Sequence, residues 1–109
     1  MIAIVIVDEA EQQLRAIDTW WREHRLLAPD MVVGELERCL TVLAAAPDAG
    51  PRFMRSTVPG VRRILMKRTR HHVYYLHDEA NAIVYIIAIW GTPKQGDPLL
   101  RDPRGDGDV

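Results

Sequence analysis

The chain opens with an apolar run. Two stretches follow in which apolar residues recur every three or four positions, and then three shorter runs of alternating or continuous apolar character. The first run, IAIVIV at residues 2–7, is mostly β-branched and bounded by DEAE, so it predicts a buried strand. Asp8 is placed as the N-cap of the helix that follows, and Glu9 and Glu11 suit the positive end of its dipole. Ala10, Leu14, Ile17 and Trp21 then recur on one helical face as far as about Arg25, and Leu26 to Pro29 break it. A second helix is entered through Pro29 and Asp30. Val32, Leu36, Cys39 or Leu40, and Leu43 mark its apolar face, and PDAGP at 47–51 ends it. Two amphipathic helices joined by so short a link predict an antiparallel hairpin.

After the loop RFMRSTVPG, with its Pro59-Gly60 turn, three strand-like runs follow: Val61 to Lys67, His71 to His77, and Ala82 to Trp90. The tight link at Arg68 to Arg70 and the hairpin-length DEAN predict an antiparallel meander. Neither a lone helix hairpin nor a bare four-stranded sheet hides its apolar face. The pattern therefore predicts an α+β domain with two helices packed on one face of the sheet. Residues 1–96 read as one domain, and residues 97–109, rich in Pro, Gly and Asp, as a mobile tail.

Composition narrows the class. With 109 residues, 48% apolar and 27% charged, the chain supports one core and reads as an ordinary globular protein. Cys39 is the sole cysteine, which excludes an internal disulfide or a cysteine zinc cage and fits a reducing cytoplasm. The opening run lacks a positive flank and stops at Asp8, too short for a signal peptide or a membrane span. The net charge of −1 conceals an asymmetry: residues 1–48 hold four Arg against nine Asp/Glu, and residues 49–109 hold ten Lys/Arg against six Asp/Glu. Positions 49–77 hold seven basic residues (Arg52, Arg55, Arg62, Arg63, Lys67, Arg68, Arg70) and no acid. Such a field favours encounters with polyanions or acidic protein segments.

The stretch KRTRHHVYYLHD, residues 67–78, concentrates the candidate chemistry. Successive strand side chains point to opposite faces, so His71 and His72 cannot chelate one ion, and no metal is expected. Ser56 lacks a strained nucleophile turn, and Cys39 sits on an apolar helix face as a buried inert thiol. No phosphate-cradling glycine motif occurs, and no cofactor is expected. Acid–base work on a phosphate stays open: Arg70, His72 and Tyr74 are expected on one outward face of their strand, with Arg62 or Arg63 and Lys67 beside them. The competing reading is that these cations solubilise a half-exposed sheet. Trp20, about 100° around the helix from Trp21, is either an interface residue flanking the helix groove or part of a wider core stripe.

The order of motifs resembles the RelE/ParE superfamily of toxins from bacterial type II toxin–antitoxin systems. The carrying features are Ala10, Leu14, Ile17, Trp20 and Trp21 on the first helix; Leu40, Leu43, Pro47 and Gly50; PGVRRILMKRTRHHVYY at 59–75; and IIAIWG at 86–91 followed by GDPLL. The resemblance implies a small growth-inhibiting toxin, cytoplasmic and free of membranes, that forms a hetero-oligomer with a cognate antitoxin. RelE-like members cut messenger RNA on the ribosome; ParE-like members block DNA gyrase. Nuclease members carry an Arg on the third strand, an Arg or His at the end of the last strand, and a Tyr or His shortly after. Here those positions are His72 and Thr92-Pro93, with no Tyr or His following Trp90. The resemblance is therefore stronger to the non-enzymatic ParE-like branch. An mRNA interferase is the alternative, with Arg63, Lys67, Arg70, His72 and Tyr74 as candidate catalytic residues, and an inactive, antitoxin-binding homologue is the second alternative. Trp20, Arg55, Arg62, Arg63, Arg68 and Arg70 are the expected partner-binding residues, since antitoxin segments are often acidic and amphipathic.

Overall fold

A computed structural model of the chain describes residues 1–91 and 96–105. Its elements are β1 (Ala3–Ile6), α1 (Asp8–His24), α2 (Met31–Ala45), β2 (Arg62–Met66), β3 (His71–Asp78) and β4 (Ile83–Gly91), in the expected order. The four strands form one sheet ordered β1-β4-β3-β2. β2, β3 and β4 make the antiparallel meander, while β1 returns to the far edge and lies parallel to β4, with Ala3 opposite Ile83 and Ile6 opposite Ile86.

Two helix starts differ from the periodicity reading. The N-cap of α1 is Val7, in extended conformation, and Asp8 is already helical with no side-chain cap bond. The acids still serve the helix, because Asp8, Glu9 and Glu11 all lie in its first turn, where the dipole favours negative charge. Similarly α2 begins at Met31 with Asp30 as its cap position, leaving Pro29 outside the helix.

The helices cover one face of the sheet. Ala10 of α1 and Leu36, Cys39 and Leu43 of α2 bury themselves against Val73, Tyr75, Ile86 and Ile89. Because β1 is short, β4 has no β1 partner beyond Ile86. There the Gln13 side-chain oxygen of α1 accepts the Ile89 N–H at 2.8 Å, satisfying a donor that would otherwise sit unpaired at the sheet edge.

The opposite face is not the open basic surface expected. Phe53, Val61, Tyr74, Leu76, Ile87 and Ala88 form a second buried cluster, with Val58 and Leu100 packed on it. Tyr74 is 2% exposed, so the expectation that it faces solvent is corrected. The alternation itself was right, since Val73 and Tyr75 enter the helix-side core while Tyr74 and Leu76 point the other way. What covers them is chain between α2 and β2, which folds back along the sheet: Phe53 N–H donates to the Val61 carbonyl at 2.8 Å and Arg63 N–H to the Pro51 carbonyl at 3.1 Å. A β-bulge assists. Tyr74 pairs with Ala88 and Tyr75 with Ile86, which leaves Ile87 as an extra residue on β4 and turns both Ile87 and Ala88 toward the second cluster.

The expected tail begins at 97. Of it, residues 97–105 are described, with Pro98 buried and Leu100 against the second cluster, and residues 106–109 lie outside the described residues.

Candidate functional site

Five of the seven basic residues of 49–77 gather in three places. The first is a groove of about 490 Å³ between α1 and the β2–β3 turn, lined by Ala16, Ile17, Trp20, Trp21 and Arg25 on one side and Arg68, Thr69, Arg70 and His71 on the other. The turn is built by Arg70, whose φ of 62° is left-handed, with its N–H donated to the Met66 carbonyl at 2.8 Å. This conformation breaks strand alternation one residue before β3 starts. It puts Arg70 on the helix side of the sheet, away from His72 and Tyr74, which corrects the expectation of one shared face. Glu35 of α2 fastens the turn from behind. Its carboxylate accepts the N–H of Arg68 at 2.9 Å, the N–H of Thr69 at 2.9 Å and the Thr69 hydroxyl at 2.8 Å.

Trp20 is 45% exposed in this groove, stacked on His24 with ring centroids 4.4 Å apart, and the Arg25 guanidinium lies 5.2 Å from its ring centre. Trp21 is half-buried, lines the same groove and donates its indole N–H to the Ala28 carbonyl at 2.9 Å, so the helical stripe that reaches the core stops at Ile17. The groove therefore runs between α1 and the turn rather than between the two helices. Among the described residues the Arg25, Arg68 and Arg70 guanidiniums make no ion pair, so an aromatic ledge is flanked by uncompensated positive charge.

The second place is a cleft of about 300 Å³ on the other face of the sheet, lined by Arg55, Arg63, His72, Tyr74, Gly91, Gly96 and Asp97. Phe53 props it. The guanidinium carbons of Arg55 and Arg63 lie 5.0 and 4.8 Å from its ring centre, and Arg63 also donates to the Tyr74 hydroxyl at 3.1 Å. Burial pushes the His72 imidazole below its ordinary pKa and the Arg63 charge pushes it further the same way. His72 is thus neutral at neutral pH, beside two guanidiniums.

The third place is the end of β2. Arg62 donates to the backbone carbonyls of Asp48 at 3.2 Å and Gly50 at 2.8 Å, and its Nε lies 3.7 Å from the Asp48 carboxylate. His77 Nδ1 is 3.0 Å from that same carboxylate, and Glu79 brings a third donor group close. Strand alternation among the histidines does not reveal this trio, because Asp48 comes from the α2–β2 link. Arg62 already supplies the cation at Asp48.

Of the five candidate catalytic residues, the cleft brings together Arg63, His72 and Tyr74. Lys67 lies instead in a shallow groove beside Glu35, Arg38, Val42 and Leu65, and Arg70 in the Trp20 groove. Of the partner-binding candidates, Trp20, Arg68 and Arg70 share one groove, Arg55 and Arg63 share the cleft, and Arg62 stands apart. Sequence reasoning missed Glu35, Arg25, Phe53 and Asp97. Only Arg25, four residues past Trp21 on a helix, carried a positional signal.

No model of a known protein family matches the chain, and no curated protein matches it. Solved structures do. A chain of the chromosomal ParDE TA system from P. aeruginosa superposes with a TM-score of 0.65 and 18% identity, over 85% of this chain and 98% of that one. A chain of the intact E. coli RelBE toxin–antitoxin complex superposes with a TM-score of 0.62 and 14% identity, over 86% of this chain and 100% of that one.

Proposed function

From the premise that the chain has the RelE/ParE toxin fold, we propose that it is the toxin component of a type II toxin–antitoxin pair, neutralised by a cognate antitoxin in the cytoplasm. It acts by binding DNA gyrase rather than by cutting RNA. The observation that carries the choice is the dispersal of the catalytic candidates. Lys67 and Arg70 open into other grooves and Tyr74 is buried with its hydroxyl held by Arg63, so of the five candidates only Arg63 and His72 are left to act in the cleft, a cation and a base with no acid for the leaving oxygen. A nuclease needs base, acid and phosphate-stabilising cations converging on one phosphate. A binding protein needs none of this.

The Trp20 groove suits the antitoxin. A half-exposed Trp is the kind of anchor that dominates interfaces, and the free charges of Arg25, Arg68 and Arg70 complement an acidic amphipathic segment. The unit assigned to this role is residues 1–96, on which the following segment packs through Pro98 and Leu100.

One observation favours the second reading, a ribosome-dependent RNA nuclease: a neutral His72 beside Arg55 and Arg63 is a usable base next to two cations. Gyrase supercoiling and primer extension on translating ribosomes, run side by side, separate the two. Inhibition in the first without cleavage in the second is the expected outcome, and the reverse overturns it. His72→Ala sharpens the comparison, since a nuclease using this imidazole loses about 100-fold or more in rate while a gyrase binder loses little.

A further inference from the structure

The cleft on the second face of the sheet already contains an anion, and it belongs to the chain. Asp97 meets Arg55 fork to fork, with Arg55 Nε donating to Oδ2 at 2.9 Å and Nη2 to Oδ1 at 3.1 Å. The segment that carries Asp97 is seated on both sides. Before it, the Trp90 indole N–H donates to the Gly96 carbonyl at 3.0 Å, and Gly96 takes a φ of 68°, a turn that a residue with a side chain adopts only under strain. After it, Pro98 is buried and Leu100 rests on the Phe53 and Tyr74 cluster.

Stability does not explain this contact, because both partners are largely exposed and such pairs contribute little to folding. The charge count points elsewhere. Arg55 and Arg63 both stack on Phe53 and face the cleft, and a single carboxylate neutralises one of the two. A phosphate group, with more acceptor oxygens and up to two charges, satisfies both guanidiniums.

We propose that the cleft of Arg55, Arg63 and His72 is a phosphate-binding site that the chain fills with its own Asp97 carboxylate, so that a phosphate group enters by exchange with Asp97. As a tethered competitor, Asp97 is present at high effective concentration and needs no intrinsic strength to compete. The inference stands on the cleft itself and holds whichever target the protein has.

The test is a titration of the ¹⁵N-labelled full chain with inorganic phosphate at fixed ionic strength, following the arginine side-chain Nε–Hε resonances. Asp97→Asn, which keeps the shape and removes the charge, is expected to bind phosphate about two- to fivefold more tightly than the unaltered chain, the size of a lost exposed ion pair. Asp97→Ser is run beside it, so that misfolding of one variant leaves the other to decide. Glu9→Gln, the same charge change on α1, is expected to leave the affinity unchanged, and adding Arg55→Gln to Asp97→Asn is expected to abolish the gain. Equal affinity in the Asp97 variants and the unaltered chain overturns the proposal. So does a gain that Glu9→Gln reproduces or that survives the loss of Arg55.

Discussion

Tyr75 and Gly50 show how a single contact fixes the path of the chain between α2 and β2. The Tyr75 hydroxyl lies in the interior and accepts the Gly50 N–H at 2.9 Å; burial raises its pKa, so it stays neutral. A Cβ on Gly50 would come within 2.8 Å of the Arg63 carbonyl oxygen, 2.8 Å of Ile64 Cγ1 and 2.9 Å of the Tyr75 oxygen. Gly50→Ala is therefore expected to destabilise by about 1–3 kcal/mol through overpacking. Tyr75→Phe is expected to cost about 1–3 kcal/mol by orphaning a buried donor. Urea unfolding of the two variants measures both. Gly50 stood in a motif and Tyr75 was expected in the core, yet their bond was not legible, because it joins residues 25 positions apart. Residue-scale reading sees which face a side chain takes and not what waits there.

At the scale of elements, Glu35 ties α2 to the β2–β3 turn. Burial pushes its carboxyl up, but the Arg68 and Thr69 N–H groups and the Thr69 hydroxyl outweigh that and hold it below its ordinary range. A carboxyl lowered on folding contributes stability that is present above its unfolded pKa and lost as pH falls through the folded one. His71, in the same turn, is lowered by burial despite its bond to the Thr69 carbonyl, so its protonation in acid also disfavours the fold. Melting temperature is expected to fall from neutral pH through the histidine range and further through the carboxylate range. Glu35→Gln is expected to lose about 1–2 kcal/mol at neutral pH and to flatten the carboxylate part of that fall. A pH series of thermal melts on both proteins checks it. The six elements and their order were legible because each carries its own period. Helix starts were off by a residue or two, since a cap is defined by backbone angles, as at Val7, and not by the nearest acid.

For the whole molecule, the difference that matters is that the sheet is covered twice. Periodicity predicts one helical layer and leaves the far side of β3 to solvent. The link between α2 and β2, which has no period of its own, supplies Phe53, Val58 and Val61 as a second cover. The bulge at Ile87 could not be read from a continuous apolar run, in which every residue suits either face. Phe53→Ala is accordingly expected to cost about 3–5 kcal/mol, a large share of a total of about 5–15, where a solvent-facing aromatic would cost almost nothing. Chemical denaturation measures this. Arg55 and Arg63 rest on the same ring, so the variant is also expected to disorder the basic cleft, seen as broadening of their side-chain resonances.

The parallel pairing of β1 with β4 also sets a schedule. The second residue of the pairing stretch, Ile4, meets Val84 eighty positions later, so the N-terminal strand emerges first and finds its place among the last. Closing so long a loop is slow, and until it closes the sheet-facing side of α1 has no β4 to pack on. During synthesis the amphipathic first helix therefore waits with its apolar stripe uncovered. A nascent chain stopped before residue 83 has neither the β4 strand nor its pairing with β1, so an interrupted round of translation yields no finished fold.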